Sequence, residues 1–504
     1  MIATPQRPIR RAHGGAMARE RMSSVDTAWL RMDSSRNLMM IVGVFVFARR
    51  VTWEEIAQLL EERLLKFGRF RQRIESDAVG HYWVDDEDFD IRRHVERVRL
   101  RRGGGDRELQ RLTARLAVQP LDPAHPLWQF HLVENYDGTS AMVTRMHHCI
   151  ADGIALVRVM LSLTDAVAPA QASEAGDDPA DLESNPWEPY LQPITRGAVA
   201  AIDATGALVT RSLDVVAHPD RLVDYAQVGS QVVRDTLAIL LMSDDTHTRL
   251  KGTPSGRKAF AWNDPLPLDE VKAVCRGMGA SVNDVLLSCV AGALRRYLLG
   301  RGDEVADDCE VRAMVPVNLR PPSEPIDDLG NRFGLVPLCL PVGIANPIAR
   351  VSEVRRRMAE LKAGYQPIVA YVMLGAAGVL PHALQTQILE YLGNKGSAVM
   401  TNVPGPTETI NMAGVPLSRM MFWVPQSGDI GIGVSILSYA GGVQFGVMSD
   451  VALCPDPQAI IDGFAPEFER LVLALAMLPN GFLLGRELAP GELEHALLLE
   501  ASCS

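Results

Sequence analysis

Apolar positions along the chain change period several times, and each change marks an element. Ile56, Leu59, Leu60 and Leu64 recur at helical spacing behind Thr52-Trp53-Glu54-Glu55, whose threonine and second glutamate have the spacing of a capping box. A helix is expected to start there. Ser140 to Met146 is short and partly β-branched, after which Ile154, Val157 and Leu161 return at helical spacing, so a strand, a junction and a helix are expected in that order. Ser281 precedes a broad apolar stripe formed by Val282, Val285, Leu286, Cys289, Val290, Leu294 and Leu298, with Asp284 completing a capping pattern. Val311, Ala313, Val315 and Val317 alternate as a strand. Ile432, Val434 and Ile436, then Val443, Phe445 and Val447, flank Gly441-Gly442 as a hairpin.

Strands and helices alternate in both halves, so the fold class is α/β, with α+β layers. Between Pro169 and Pro193 the composition shifts to Ala, Asp, Glu and Pro, as in an exposed linker between lobes. Residues from Gly197 to Leu241 read as helical connections interrupted by His218-Pro219. The expected organisation is a flexible basic tail over residues 1–21, a first lobe over 22–168, a linker with connecting helices over 169–250, and a second lobe over 251–504. No sequence repeat relates the lobes.

Composition narrows the class of protein. With 504 residues, 47% hydrophobic and 22% charged, the chain can bury two cores and has no disordered bias. Seven cysteines without paired spacing point to a reducing compartment and no disulfide framework. A net charge of −11, without a finger or helix-turn-helix pattern, speaks against nucleic acid as a partner. Arg7, Arg10, Arg11, Arg19 and Arg21 are followed by no apolar run of the kind a secretory signal needs. The longest apolar stretch, Ile368 to Leu380, is bracketed by Pro367 and Pro381 and falls short of the ~20 residues that span a bilayer. It reads as a core helix, a tunnel wall or a lipid contact. Arg92, Arg93, Arg97, Arg99, Arg101 and Arg102 form a basic run that suits a solvated edge strand, or else CoA phosphates and anionic headgroups.

The candidate chemistry sits at the junction between the predicted strand and helix. His147-His148-Cys149-Ile150-Ala151-Asp152-Gly153 matches HHxxxDG, a pattern expected by composition in roughly one chain of this length in a thousand. A neutral imidazole held at such a junction can accept a proton from a hydroxyl, amine or thiol, and His148 is the candidate general base. His147 is assigned to orienting the site. Asp152 is read as a buried carboxylate that holds the loop, and Gly153 as a position needing either positive φ or close backbone approach. Adjacent histidines do not easily face one ion, and HExxH and CxxC spacings are absent, so no metal site is expected. Cys149 has no neighbour that would depress its thiol pKa and is read as packing. Asn283, in the first turn of its helix, is a candidate oxyanion donor or a structural amide.

These residues resemble a known family. HHxxxDG is shared by enzymes with a chloramphenicol acetyltransferase-like fold, among them condensation domains of peptide synthetases and, as HxxxD, plant acyl-CoA-dependent acyltransferases. Pro126-Leu127-Trp128, Asn283-Asp284, Asn318-Leu319-Arg320 and Leu329-Gly330-Asn331-Arg332-Phe333-Gly334 look like the PLW, ND, NLR and GNRFG blocks of bacterial wax ester synthase/acyl-CoA:diacylglycerol acyltransferases, in that order. Ser24-Val25-Asp26 and Thr401-Asn402-Val403-Pro404-Gly405-Pro406 also look like family segments, so the resemblance runs from about Met22 to Asp450. One departure is visible: Leu38-Met39-Met40 stands where the family often has Pro-Met-His. The plant family's DFGWG loop is missing.

The resemblance implies two chloramphenicol acetyltransferase-like lobes with the active site at their interface. It implies an acyl-CoA-dependent O-acyltransferase that makes wax esters and triacylglycerol from long-chain alcohols or diacylglycerol. Acyl-CoA would be a co-substrate, with no further cofactor, no metal and no covalent acyl-enzyme. Pro126, Leu127, Trp128, Asn318, Arg320, Asn331 and Arg332 would bind substrate. The enzyme would be cytoplasmic, touching the inner membrane or lipid inclusions peripherally. Two alternatives stay open: a free-standing condensation-type acyltransferase acting on carrier-bound substrates, and a non-catalytic lipid-binding relative.

Overall fold

The computed structural model describes residues 19–101, 104–165, 242–319, 329–362, 366–380, 385, 391 and 393–477. The interlobe linker, the connections up to Leu241, Arg102 and Arg320 lie outside the described residues, as does all of the basic tail before Arg19.

The helices begin at their caps. Thr52 and Glu55 exchange both capping-box hydrogen bonds at the start of Trp53–Arg63. Ser281 and Asp284 do the same for Val282–Gly300. Each pair satisfies N–H groups that the first helical turn leaves free. The strand Thr139–His147 and the helix Gly153–Ser162 flank the double-histidine loop. The hairpin is shifted by one residue from its expected place. Its strands are Ile432–Tyr439 and Gly442–Asp450, so Ala440 and Gly441 make the turn, with φ of 47° and 76°. A two-residue turn with both φ values positive matches the twist of the strands, and Gly442 is left to pair with Tyr439.

Two seven-stranded sheets carry the fold. In the first, the order is Val95–Val98, Trp128–Tyr136, Thr139–His147, Met40–Phe47, Val415–Trp423, Asn411–Met412, Thr164–Asp165. The strand that ends at His147 is therefore interior, third of the seven. The second sheet runs Leu266–Pro267, Gly442–Asp450, Ile432–Tyr439, Ala398–Pro404, Val311–Asn318, Phe333–Leu340, with Lys258–Trp262 also paired to Gly442–Asp450. Helices Val282–Gly300, Pro347–Lys362 and Gln458–Ala476 share a core with this sheet.

The span 251–504 does not keep to one sheet. Val415–Trp423 crosses to pair antiparallel with Met40–Phe47, every residue of which is buried. Left as an edge, so apolar a strand would template association with other chains, and the crossover covers it. Of the basic run, Arg97 lies on a sheet edge, Arg92 and Arg93 on the short helix Ile91–His94 before it, and Arg99 and Arg101 just after it. Val95–Val98 is the outermost strand, Arg97 meets Glu54 at 2.5 Å, and Arg99 meets Glu134 at 3.1 Å. These arginines are spent on neighbouring carboxylates.

The two halves share one apolar seam. The core cluster of the first sheet takes in Leu319, Leu329, Phe333 and Tyr371 from the second half. Among the described residues no helix is long and apolar enough to cross a bilayer.

Candidate active site

Register brings the loop to a fixed place. His147 pairs with Met40, its N–H donates to the Leu127 carbonyl at 2.9 Å, and the His148 N–H donates to the Met39 carbonyl at 2.8 Å. The histidine that the family often carries on this strand is replaced here by Met40, which is buried in the cluster beside the helix Asp106–Ala117. The chain then turns at Cys149 and enters the helix Gly153–Ser162, capped by Asp152, whose Oδ1 accepts from the Ala155 N–H at 2.7 Å.

A tether from the second half closes over this loop. Asp152 Oδ2 accepts the backbone N–H of Arg332 at 3.0 Å, and Asn331 Nδ2 donates to the His148 carbonyl at 2.8 Å. The same Nδ2 donates to Asp26 Oδ1 at 2.8 Å, and the Asn331 N–H reaches that oxygen at 3.2 Å. Burial pushes the Asp26 carboxyl up to about 6, against the pull of its hydrogen bonds to Asn331 and Ser23. Because this folded value lies above the unfolded one, the group's contribution to stability is full below the unfolded pKa and fades as pH rises through about 6. Asn331→Ala keeps the backbone N–H on Asp26 but takes the Nδ2 donor from both the buried Asp26 carboxyl and the His148 carbonyl, which should lower unfolding stability by roughly 1–3 kcal/mol. An unchanged midpoint in urea would contradict the tether.

His148 forms one wall of a cavity of about 340 Å³ that lies between the two sheets. The imidazole is buried, and burial pushes its pKa down to about 4, so the ring is neutral at physiological pH. Nδ1 is enclosed and makes no hydrogen bond of acceptable geometry, which leaves Nε2 as the nitrogen on the cavity side. Trp29 stacks on the ring with centroids 4.1 Å apart.

The other residues divide into those at the cavity and those behind it. Asp152, Gly153, Asn283 and Asn318 line it, together with Thr401 and Asn402. Asn402 Nδ2 donates to Asn283 Oδ1, so two amides from a helix start and a strand face the same space as His148. Gly153 departs from expectation. Its φ is not positive and a Cβ there meets nothing within 4 Å, so what the glycine leaves is open room on the cavity wall. His147 is tucked into the loop, its Nδ1 accepting the Cys149 N–H at 3.1 Å and its Nε2 lying 3.3 Å from Asp33. Cys149 is fully buried, and burial pushes its thiol well above the ordinary value, which suits packing and not nucleophilic attack.

The PLW block stands away from the cavity. Pro126, Leu127 and Trp128 are buried and absent from the cavity wall. Leu127 holds the His147 N–H, while Trp128 donates from Nε1 to the Phe70 carbonyl at 2.9 Å and stacks on His94. Their work is to fix the histidine strand from behind. Asn331 and the Arg332 backbone likewise act on the loop, outside the cavity lining. Sequence reasoning missed Trp29 and gave Asn402 no role. The signals were only a lone aromatic on a short helix and an asparagine inside a family-like segment.

The cavity is lined by apolar side chains from Met146, Leu287, Val315, Phe333, Leu374 and others, and by no lysine or arginine among the described residues. It can take an acyl chain and a hydroxyl beside a neutral imidazole. An anionic head group has no counter-ion among the residues that line it.

Comparison with known proteins agrees with this arrangement. Residues 22–286 match the family model of the wax ester synthase/diacylglycerol acyltransferase catalytic domain, and residues 329–472 match that family's C-terminal domain. The probable diacylglycerol O-acyltransferase tgs1 of Mycobacterium tuberculosis H37Rv is 29% identical over 90% of this chain and 95% of its own. Among solved structures, the wax ester synthase/diacylglycerol acyltransferase from Marinobacter aquaeolei VT8 superposes with a TM-score of 0.61 at 20% identity, covering 91% of this chain and 100% of that one. The first condensation domain of the calcium-dependent antibiotic synthetase has the same fold, with a TM-score of 0.54 at 14% identity over 91% of this chain and 97% of that one.

Proposed function

Since this chain belongs to the wax ester synthase/diacylglycerol acyltransferase family, a family of O-acyltransferases, we propose that it esterifies long-chain alcohols or diacylglycerol from acyl-CoA with His148 as general base. The observation that carries this reading is a neutral, buried imidazole on the wall of a largely apolar cavity between two sheets. His148 Nε2 takes the acceptor hydroxyl proton as the oxygen bonds to the thioester carbon. The carbonyl electrons move to oxygen, and the resulting tetrahedral oxyanion lies within reach of the Asn283–Asn402 amides. Its collapse breaks the carbon–sulfur bond, and the imidazolium proton passes to the CoA thiolate. Ester and free CoA result. The thioester and acyl chain occupy the cavity, while the CoA phosphates, for which the lining offers no cation, stay outside.

Incubating purified protein with palmitoyl-CoA and either hexadecanol or diacylglycerol, then resolving the neutral lipids, tests this directly. Wax ester or triacylglycerol is expected; neither product from folded protein would refute the reading. A pH profile adds a second check. A histidine at its ordinary 6.5 would impose an acid limb there on kcat/KM, whereas His148 pushed down to about 4 stays unprotonated, so no histidine limb is expected near 6.5. A limb at 6.5 that vanishes in a His148 variant would contradict the neutral base.

The site of action follows from the substrates. The acceptors partition into membranes, and we place the enzyme in the cytoplasm, touching the inner membrane or lipid inclusions peripherally. The helix Gln366–Val379 supports this, because Leu374 lines the cavity while Val372 is 39% exposed. Leu374→Glu should depress turnover of long acceptors more than short ones. Val372→Glu should instead reduce recovery with lipid vesicles and spare turnover of dispersed short acceptors. Equal loss on all acceptors in both variants would mark a core helix only.

A further inference from the structure

A catalytic imidazole is commonly fixed through its second nitrogen by a carboxylate or a carbonyl. The polar groups acting on the His148 ring include its own backbone and Asn331, and a column of rings packs on its faces. Trp29 lies 4.1 Å from the imidazole centroid at an interplanar angle of 16°, Phe333 lies 5.4 Å away at 43°, and Trp29 and Phe333 stack on each other at 5.7 Å. The three rings come from different parts of the fold. Trp29 belongs to the helix Ser24–Arg31, His148 follows the first sheet's strand Thr139–His147, and Phe333 opens the second sheet's strand Phe333–Leu340.

Trp29 is held at a disadvantage that its size alone does not explain. Its indole Nε1 is enclosed without a hydrogen-bond partner, a penalty that phenylalanine or leucine at that position would avoid. The flat indole face against His148 is the contact that distinguishes tryptophan there. When the imidazole takes the acceptor proton it becomes a cation in a water-poor site, and an indole face attracts a cation more strongly than any other side-chain ring does.

We propose that Trp29 is a positioning residue for acyl transfer: its stacked indole fixes the plane of the His148 ring, aims Nε2 into the cavity, and steadies the imidazolium formed during the reaction. The inference rests on His148 being the base. Because the cation exists only after proton transfer begins, losing the indole should act on kcat more than on KM.

The test uses the full chain with Trp29→Phe and Trp29→Leu. Kinetics with palmitoyl-CoA and hexadecanol are read beside the urea midpoint. Small misplacements of a reacting group can lower rates by about 100-fold, so Trp29→Leu should lose roughly 10- to 100-fold in kcat with KM for palmitoyl-CoA little changed. Trp29→Phe, which keeps a ring face, should recover most of that loss. A residue that merely fills space would lower the midpoint without separating kcat from KM. Folded Trp29→Leu protein with wild-type kcat, or a loss carried by KM alone, would overturn the proposal. Should Trp29→Leu fail to fold, Phe333→Leu removes the other ring and should give a smaller fall in kcat; a fall in that variant confined to KM would also overturn it. Wild-type kcat in Trp29→Leu beside an inactive His148→Ala would defeat this inference and leave the base assignment standing, whereas an active His148→Ala would defeat the assignment itself.

Discussion

Gly334→Ala is expected to destabilise the protein severely and to slow it at the same time. A Cβ at this position would lie 1.9 Å from the Pro367 carbonyl oxygen, a backbone atom at the start of the helix Gln366–Val379. Neither side can easily yield. Gly334 is paired with Val317 inside the second sheet, and the helix packs on the strand Phe333–Leu340 and on the helix Ser24–Arg31. Overpacking of this kind typically destabilises by roughly 1–3 kcal/mol, and a backbone contact so short belongs at or above the top of that range. The rate should fall too, because Asn331 and Phe333, within three residues before the glycine, contact the His148 carbonyl and ring. Gly153→Ala is the natural control for stability, since a Cβ there meets nothing within 4 Å. Urea unfolding of both variants reads the difference; equal midpoints for Gly334→Ala and wild type would show that the helix and strand are not pressed together there.

The parts of the site that were legible in the sequence are those set by local periodicity. The histidine junction, the Asp152 cap and the capped helix behind Asn283 depend on residues a few positions apart, and spacing records such contacts. Contacts across the fold leave no such record. Val415–Trp423 alternates only in its first half, and nothing in its period says that it pairs with Met40–Phe47 and not with its neighbours in sequence. Trp29 reads as one apolar residue on a helix until the fold lays it on His148. The PLW block shows the converse problem, because a family-like motif marks a position that matters without saying which way it matters. Trp128 turned out to brace the histidine strand from the core. The hairpin slipped by one residue because Ala440, with no glycine's freedom, nonetheless takes positive φ there.

His148→Ala should produce the other large effect, and it falls on chemistry with the fold largely kept. The backbone carbonyl that Asn331 holds stays in place in the variant, although losing the ring opens a gap beside Trp29 and Phe333. What disappears is the neutral acceptor on the cavity wall, already unprotonated because burial pushes it down to about 4. Loss of a positioned general base commonly lowers rates by roughly 10²–10⁴, and His147→Ala should lose less, since His147 faces Asp33 and the loop and not the cavity. The decisive measurement is therefore the rate at which folded His148→Ala protein converts palmitoyl-CoA and hexadecanol, or diacylglycerol, to neutral ester, relative to wild type. The expected result is a loss of at least about 100-fold with either acceptor; near-normal ester formation by the folded variant would contradict the mechanism.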